Sequence, residues 1–348
     1  MTYSRRDALK TFAAGLLFAG PARAAAPPPT DVTPELIAAA RREGKIALYS
    51  GLDLPLSEKL AKGFEAKYPG IAVRVERSGA ERIFQRIGQE QASRINAADV
   101  VISTDAGHFV AWKRTGLLAP FVPQDVAQHF AADDRDADGM HATLCFSLSG
   151  LGYNTKLVKP EDAPKRFADL LDPKWRGRIV KAHPSYSGTI LTTTYALSQT
   201  LGWSFYEKLA EQRVMQVQSA GDPPKKLALG ERAVQADGVD AILEQLKEQG
   251  QPVEFVYAAE GTPLITTPGG ILSSAPNPNA ARLFYSYLCG PDGQQIFVEG
   301  NRHSPHLLVK PKPGRTPLSA VKLLRSDPAA VEAESEQVKA RYAKLFRV

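Results

Sequence analysis

Lys45-Ile46-Ala47-Leu48-Tyr49-Ser50-Gly51 is the stretch from which the fold is read. Lys45 to Tyr49 reads as a short apolar strand, and Ser50-Gly51 opens a loop. Upstream, Thr33 to Glu43 reads as a helix: Thr33 can cap it, Pro34 suits its first turn, and Gly44 stops it. Downstream, Leu56 to Tyr68 is an amphipathic helix ended by Pro69-Gly70. Ile71 to Glu76 alternates as a second strand, Ser78-Gly79-Ala80-Glu81 follows, and a helix runs to about Arg94. Ala98 to Ser103 is a third strand, followed by Thr104-Asp105 and a helix from Gly107 to Thr115. Three strand–loop–helix units in a row predict a parallel sheet with helical crossovers, and so an α/β fold.

The second half restarts the pattern. Ser147 to Asn154 is extended and broken by glycine. Phe167 to Leu171 is a short helix, Pro173-Lys174-Trp175-Arg176-Gly177 a turn, and Arg178 to Ala182 a strand. Helices are expected over Thr189–Leu201, Trp203–Gln212, Pro223–Leu229, Ala241–Glu248 and Asn277–Leu288, continuing through Asp292 to Glu299. Strands are expected at Arg232–Ala236, Val253–Ala258 and Gly269–Leu272, and a C-terminal helix at Ala329–Phe346. The 348 residues leave room for about two domains. No internal repeat appears.

Residues 4–10 carry Arg5, Arg6 and Lys10, followed by the apolar run Thr11 to Ala19 and by Ala22-Arg23-Ala24. That is a signal peptide with a cut near Ala24, and the Arg5-Arg6 pair resembles a twin-arginine export signal. Beyond it no run of 18 apolar residues occurs. The chain carries a formal charge of +6, of which residues 1–24 hold +3. The remainder is mild and scattered, without a basic stripe interleaved with aromatics, so nucleic acid is not an expected partner. Cys145 and Cys289 read as small buried apolar residues.

In open α/β sheets ligands sit outside the carboxyl ends of strands. Four such ends carry small or hydroxyl residues: Ser50-Gly51, Ser78-Gly79, Ser103-Thr104-Asp105, and Ser185-Tyr186-Ser187-Gly188-Thr189. Each precedes an expected helix, whose free N–H groups favour anions. Taken singly, such residues also serve as plain helix caps. Asp237, with Glu81, Asp105 and Asp222, is an acidic group near a loop that can hold a cationic part of a solute or cap a helix. No pair of histidines has helix ligand spacing, and His303-Ser304-Pro305-His306 reads as a loop, so no metal site and no cofactor are expected. Nucleophile elbow, phosphate loop and His-Glu-x-x-His are all absent, so an enzyme is not expected.

Several phrases in this order resemble type II periplasmic substrate-binding proteins of ABC transporters, the group that includes ferric-iron binders. They are Ala47-Leu48-Tyr49-Ser50-Gly51, Phe64-Glu65-Ala66-Lys67-Tyr68-Pro69-Gly70, Ala98-Asp99-Val100-Val101, Gly150-Leu151-Gly152-Tyr153-Asn154, Asp169-Leu170-Leu171-Asp172-Pro173-Lys174-Trp175-Arg176-Gly177 and Ser187-Gly188-Thr189. The resemblance implies two α/β lobes, each a central sheet flanked by helices, closing on a solute in the cleft between them. Lobe 1 is expected over 30–143 with 262–325, lobe 2 over 144–261, and a C-terminal helix over 326–348. It also implies a periplasmic, monomeric protein that delivers its solute to a membrane permease. Ferric binders of the group carry adjacent tyrosines in lobe 2. The comparable stretch here, Arg232 to Gly238, has none. The expected cargo is therefore a small organic anion, phosphorylated or phosphonate. Ferric iron and an exported α/β hydrolase using Ser185 and Ser187 are the alternatives.

Overall fold

A computed structural model describes residues 25–348. The signal-peptide reading falls on residues 1–24, outside the described residues.

Lobe 1 grows from the stretch that opened the sequence reading. Helix α1 (Pro34–Glu43) starts where the Thr33 hydroxyl accepts the Leu36 N–H, and ends at Gly44 in the left-handed region. It leads into β1 (Lys45–Ser50), α2 (Leu54–Lys67), β2 (Ala72–Arg77), α3 (Ala80–Ala92), β3 (Val100–Ile102) and α4 (Ala106–Arg114). β1 lies between β2 and β3 and pairs parallel with both, so the three units form the expected parallel sheet with helical crossovers. β4 (Leu118–Ala119), α5 (Gln124–His129) and β5 (Ala142–Leu148) follow.

The chain then passes into lobe 2 through Ser149-Gly150. β6 (Leu151–Asn154), β7 (Ile179–Ala182), α6 (Gly188–Leu201), α7 (Trp203–Ala210), β8 (Met215–Val217), α8 (Asp222–Ala228), β9 (Val234–Gln235), α9 (Asp240–Glu248) and β10 (Val253–Val256) build a second sheet. Its strand order is β10-β6-β9-β7-β8. The Asp169 to Gly177 phrase makes a corner of this lobe. The Asp172 side chain accepts the Lys174 N–H, Trp175 is 2% exposed in the lobe's core, and Gly177 takes φ 72°. It packs the corner of the lobe.

The chain returns through β11 (Thr262–Leu272), which pairs antiparallel with β5 and β3. Sequence reading saw only its end, Gly269 to Leu272. Pro268 disfavours a strand, yet it sits where the pairing with β5 shifts register, and a bulge needs no ladder N–H there. The expected boundary at 143/144 falls inside β5, which pairs along its length with β11. α10 (Pro278–Cys289), α11 (Pro291–Glu299), β12 (Leu323–Leu324) and α12 (Pro328–Phe346) complete the chain. Cys145 and Cys289 are free and buried, and burial pushes the Cys145 thiol up to about 12. No described helix is long and apolar enough to cross a membrane.

Candidate functional site

A cleft of about 510 Å³ opens between the two sheets. Its lobe 1 wall comes from the carboxyl ends of β1 and β2 and from the loop after β3. Its lobe 2 wall comes from the segment after β7 and from Gln218 to Asp222 after β8, with β11 and Arg302 at the base. These are the places where a sheet of this kind binds ligands.

Four helices, α3, α6, α8 and α9, begin at the cleft without side-chain caps, and α3 and α6 face each other across it. Gly79, which has no side chain, precedes α3, and the Ser187 side chain accepts no N–H of α6. The first-turn N–H groups of both are therefore free to meet an anion, each worth about 0.3–1 kcal/mol. The two starts approach each other closely. A Cβ on Gly79 would lie 2.9 Å from the Tyr186 carbonyl oxygen, and one on Gly188 would lie 2.3 Å from Asp105 Cβ. The lobes are thus closed on one another, and glycine is what permits the contact.

Four cations line the cleft: Arg77, Arg82, Lys225 and Arg302. Arg302 is 5% exposed. Its guanidinium donates to Asp53 Oδ2 at 2.8 Å and to Ser147 Oγ at 3.2 Å, and its Nε has no partner. Asp53 also caps α2, and Asp222 accepts the Ser219 N–H, so both cleft carboxylates are already engaged. Among the described residues, Arg77 donates only to the Leu52 carbonyl oxygen, at 3.1 Å. Among the described residues neither Arg77, Arg82 nor Lys225 has a carboxylate partner.

Of the residues proposed from sequence, Gly51, Gly79, Thr104, Tyr186, Ser187 and Thr189 line the cleft. Gly188 is the lobe–lobe contact just described. The others lie outside the lining. Ser50 is fully buried, 2.8 Å from Ser57 Oγ, and accepts the Leu52 N–H. Ser103 meets His108 Nδ1 at 3.2 Å and accepts the Asp105 N–H. Asp105 caps α4. The Ser78 N–H pairs with the Ser50 carbonyl oxygen, and the Ser185 N–H with His183 Nδ1. Asp237 is fully buried, holds Lys181 at 2.7 Å and accepts the Ala182 N–H. Local capping and core pairing engage Ser50, Ser103, Asp105 and Asp237.

Outside the cleft, Asp125, His129 and His306 bring one ligand atom each within 4.8 Å of one another. His306 already uses both ring nitrogens: Nδ1 accepts the Leu308 N–H and Nε2 faces Asp125 Oδ1, each at 3.3 Å. A neutral imidazole accepting at Nδ1 carries its proton on Nε2, so it offers no lone pair to an ion in this arrangement.

Residues 45–300 match the family described as bacterial extracellular solute-binding protein. The chain belongs to that family. This solute-binding protein is 23% identical over 281 residues to iron uptake protein A1 of Synechocystis sp., covering 77% of each chain. It is also 23% identical to the major ferric iron-binding protein of Neisseria gonorrhoeae, over 76% of this chain and 81% of that one. Among solved structures, the periplasmic binding protein AfuA from Actinobacillus pleuropneumoniae, with exogenous fructose-6-phosphate bound, aligns with a TM-score of 0.80. The identity is 23%, covering 88% of this chain and 99% of that one. Iron-bound HitA from Pseudomonas aeruginosa aligns at 0.75 and 22% identity, covering 86% and 99%. The fold is that of type II periplasmic substrate-binding proteins, as the sequence phrases implied.

Proposed function

We propose that this solute-binding protein is the periplasmic receptor of an ABC-type importer. Its cargo is a small organic anion with a phosphate, phosphonate or carboxylate head, which it delivers as a monomer to the membrane permease. One observation carries the choice of cargo. Among the described residues, the cleft offers Arg77, Arg82 and Lys225 without carboxylate partners, beside the facing uncapped starts of α3 and α6. Unpaired positive charge with free N–H groups is the chemistry of an anion site. The volume of about 510 Å³ lies in the usual range for small-molecule pockets, roughly 300–1,000 Å³, and leaves room for an organic body behind the head. Ser147, Thr267, Gln218 and Gln245 line the cleft and supply hydrogen-bonding groups for that body.

Ferric iron is the second reading, because two relatives are named for it. A hard trivalent ion wants several oxygen anions. The cleft supplies one tyrosine, Tyr186, and two carboxylates already engaged, against four cations. That balance favours the organic anion. Catalysis is not part of the proposal: among the described residues no hydrogen bond joins the Ser185 or Ser187 hydroxyl to an imidazole.

A thermal-shift screen of the exported chain tests the cargo. Sugar phosphates, phosphonates and carboxylates are compared with Fe³⁺ presented with citrate. A true ligand at 100 times its Kd adds about 2.7 kcal/mol of stability. A shift with one anion class supports the reading. A shift with iron alone, or with none of the anions, sinks it.

A further inference from the structure

Helix α12 is held to the two lobes by different forces. Its apolar face is built into lobe 2. Val331 and Val338 pack with Leu191 of α6, against Tyr195 and Trp203, and Tyr342 is fully buried in the cluster of Tyr206 and Trp175. No residue of α12 enters the apolar clusters of lobe 1. There α12 meets α4 where Gly107 lies close against Glu332, and the remaining contacts are ionic. Lys339 Nζ lies 2.9 Å from Glu81 Oε2, and Arg114 pairs with Glu332 at 2.8 Å. The seam between α12 and lobe 1 is not fully packed either. It holds a cavity of about 110 Å³ lined by Glu81, Asp105, His108, Leu191, Glu332 and Lys339.

The helices that α12 ties together are two whose starts face each other at the cleft. Glu81 stands in the first turn of α3, and Leu191 in the first turn of α6. A strap bonded to both fixes the distance between the two N-termini from outside the cleft. Neither Lys339, Glu332 nor Arg114 lines the cleft.

We propose that α12 is an electrostatic latch on cleft closure. It travels with lobe 2, and its pairs to Glu81 and Arg114 form as the lobes close and part as they open. Lys339, Glu332 and Arg114 are then positioning residues for the solute. The inference rests on the reading that the cleft opens and closes on a solute, a hinge motion between two populated states. Half-exposed ion pairs of this kind shift such a ratio by about three- to tenfold together. Salt weakens them, since the screening length falls from about 10 Å at 0.1 M to about 3 Å at 1 M.

Small-angle X-ray scattering of the solute-free exported chain tests the latch. At low salt the wild type is expected to populate the closed form, and raising the salt should increase the radius of gyration. Lys339→Gln with Glu332→Gln should give the larger radius already at low salt, with a three- to tenfold lower closed-to-open ratio. Arg114→Glu alone should do the same, and adding Glu332→Arg should restore closure. Arg114 is exposed and Glu332 and Lys339 are part-exposed, so variants at these three positions should melt cooperatively, and a thermal melt run alongside checks this. A radius unchanged by salt and by every variant overturns the latch. So does an Arg114→Glu opening that the reciprocal change fails to reverse. Because no solute is present, failure of fructose 6-phosphate or any other probe to bind leaves this result standing. Retained solute binding with salt-insensitive scattering would remove the latch and leave the receptor reading intact.

Discussion

The wall of the cleft and the core behind it handle charge in opposite ways. At the wall, Arg77, Arg82 and Lys225 are exposed and, among the described residues, have no carboxylate partner. In lobe 2, Lys181 is 1% exposed, paired with Asp237 at 2.7 Å, and roofed by the Tyr342 ring 4.5 Å from its ammonium. Burial drives Lys181 down and Asp237 up from their ordinary values, and their mutual attraction opposes both shifts. The buried pair is closed to any ligand. The exposed cations lack that internal compensation, and a bound anion supplies it. Asp237, expected from sequence as a ligand group, belongs to the buried pair.

The largest effect that tests this contrast is at the buried pair. Lys181→Met leaves the Asp237 carboxylate buried without its partner, and breaking such a pair costs about 3–5 kcal/mol. Urea denaturation should show that loss, and Lys181→Met with Asp237→Leu should recover most of it. A single-variant loss below about 1 kcal/mol would mean that the pair does not hold lobe 2 together.

A smaller effect is expected at the lobe contact. Gly188→Ala places a Cβ 2.3 Å from Asp105 Cβ, which the closed form cannot accept without movement. Overpacking of this kind costs about 1–3 kcal/mol. Here the penalty falls on the closed state alone, because the two atoms belong to different lobes. Affinity for whichever anion the screen finds should fall about tenfold, while the denaturation midpoint of the solute-free chain at high salt, where the lobes stand apart, stays put. Equal loss of affinity and of solute-free stability would show that the alanine disturbs α6 itself.

What the sequence made legible follows from how local each signal is. The Lys45–Gly51 stretch and its two successors were readable because each strand, loop and helix start lies within a dozen residues and obeys one period. β11 was half-read because Pro268 argues against a strand unless a bulge is present, and a bulge is a property of the partner strand. The rule that ligands meet strand ends selected Gly51, Gly79, Thr104, Tyr186, Ser187 and Thr189, which line the cleft. The same rule also selected Ser50, Ser103 and Asp105, whose local hydrogen bonds occupy them, because capping and ligand contact use the same residue types. The cations were missed. Arg77 ends β2, Arg82 lies in α3, Lys225 in α8, and Arg302 follows α11, so only the fold assembles them. Arg77 and Arg82 flank Ser78-Gly79, and that basic flank was the one local signal available.

The finest test separates affinity from stability at those cations. Arg82 is exposed and makes no hydrogen bond or ion pair among the described residues, so Arg82→Ala removes charge without breaking a contact. Solute-free stability should stay within about 0.5 kcal/mol, as for surface substitutions away from special features. Affinity for the anion should fall about three- to tenfold, and the salt dependence of binding should flatten, because one fewer screened attraction remains. Arg77→Ala should lower affinity in the same way. It should also cost a little stability, since its Nε donates to the Leu52 carbonyl oxygen. Calorimetric titration at two salt concentrations, with a parallel urea melt, reads both quantities. If Arg82→Ala lowered stability and left affinity alone, the exposed cations would be structural like Lys181, and the anion reading would lose its support.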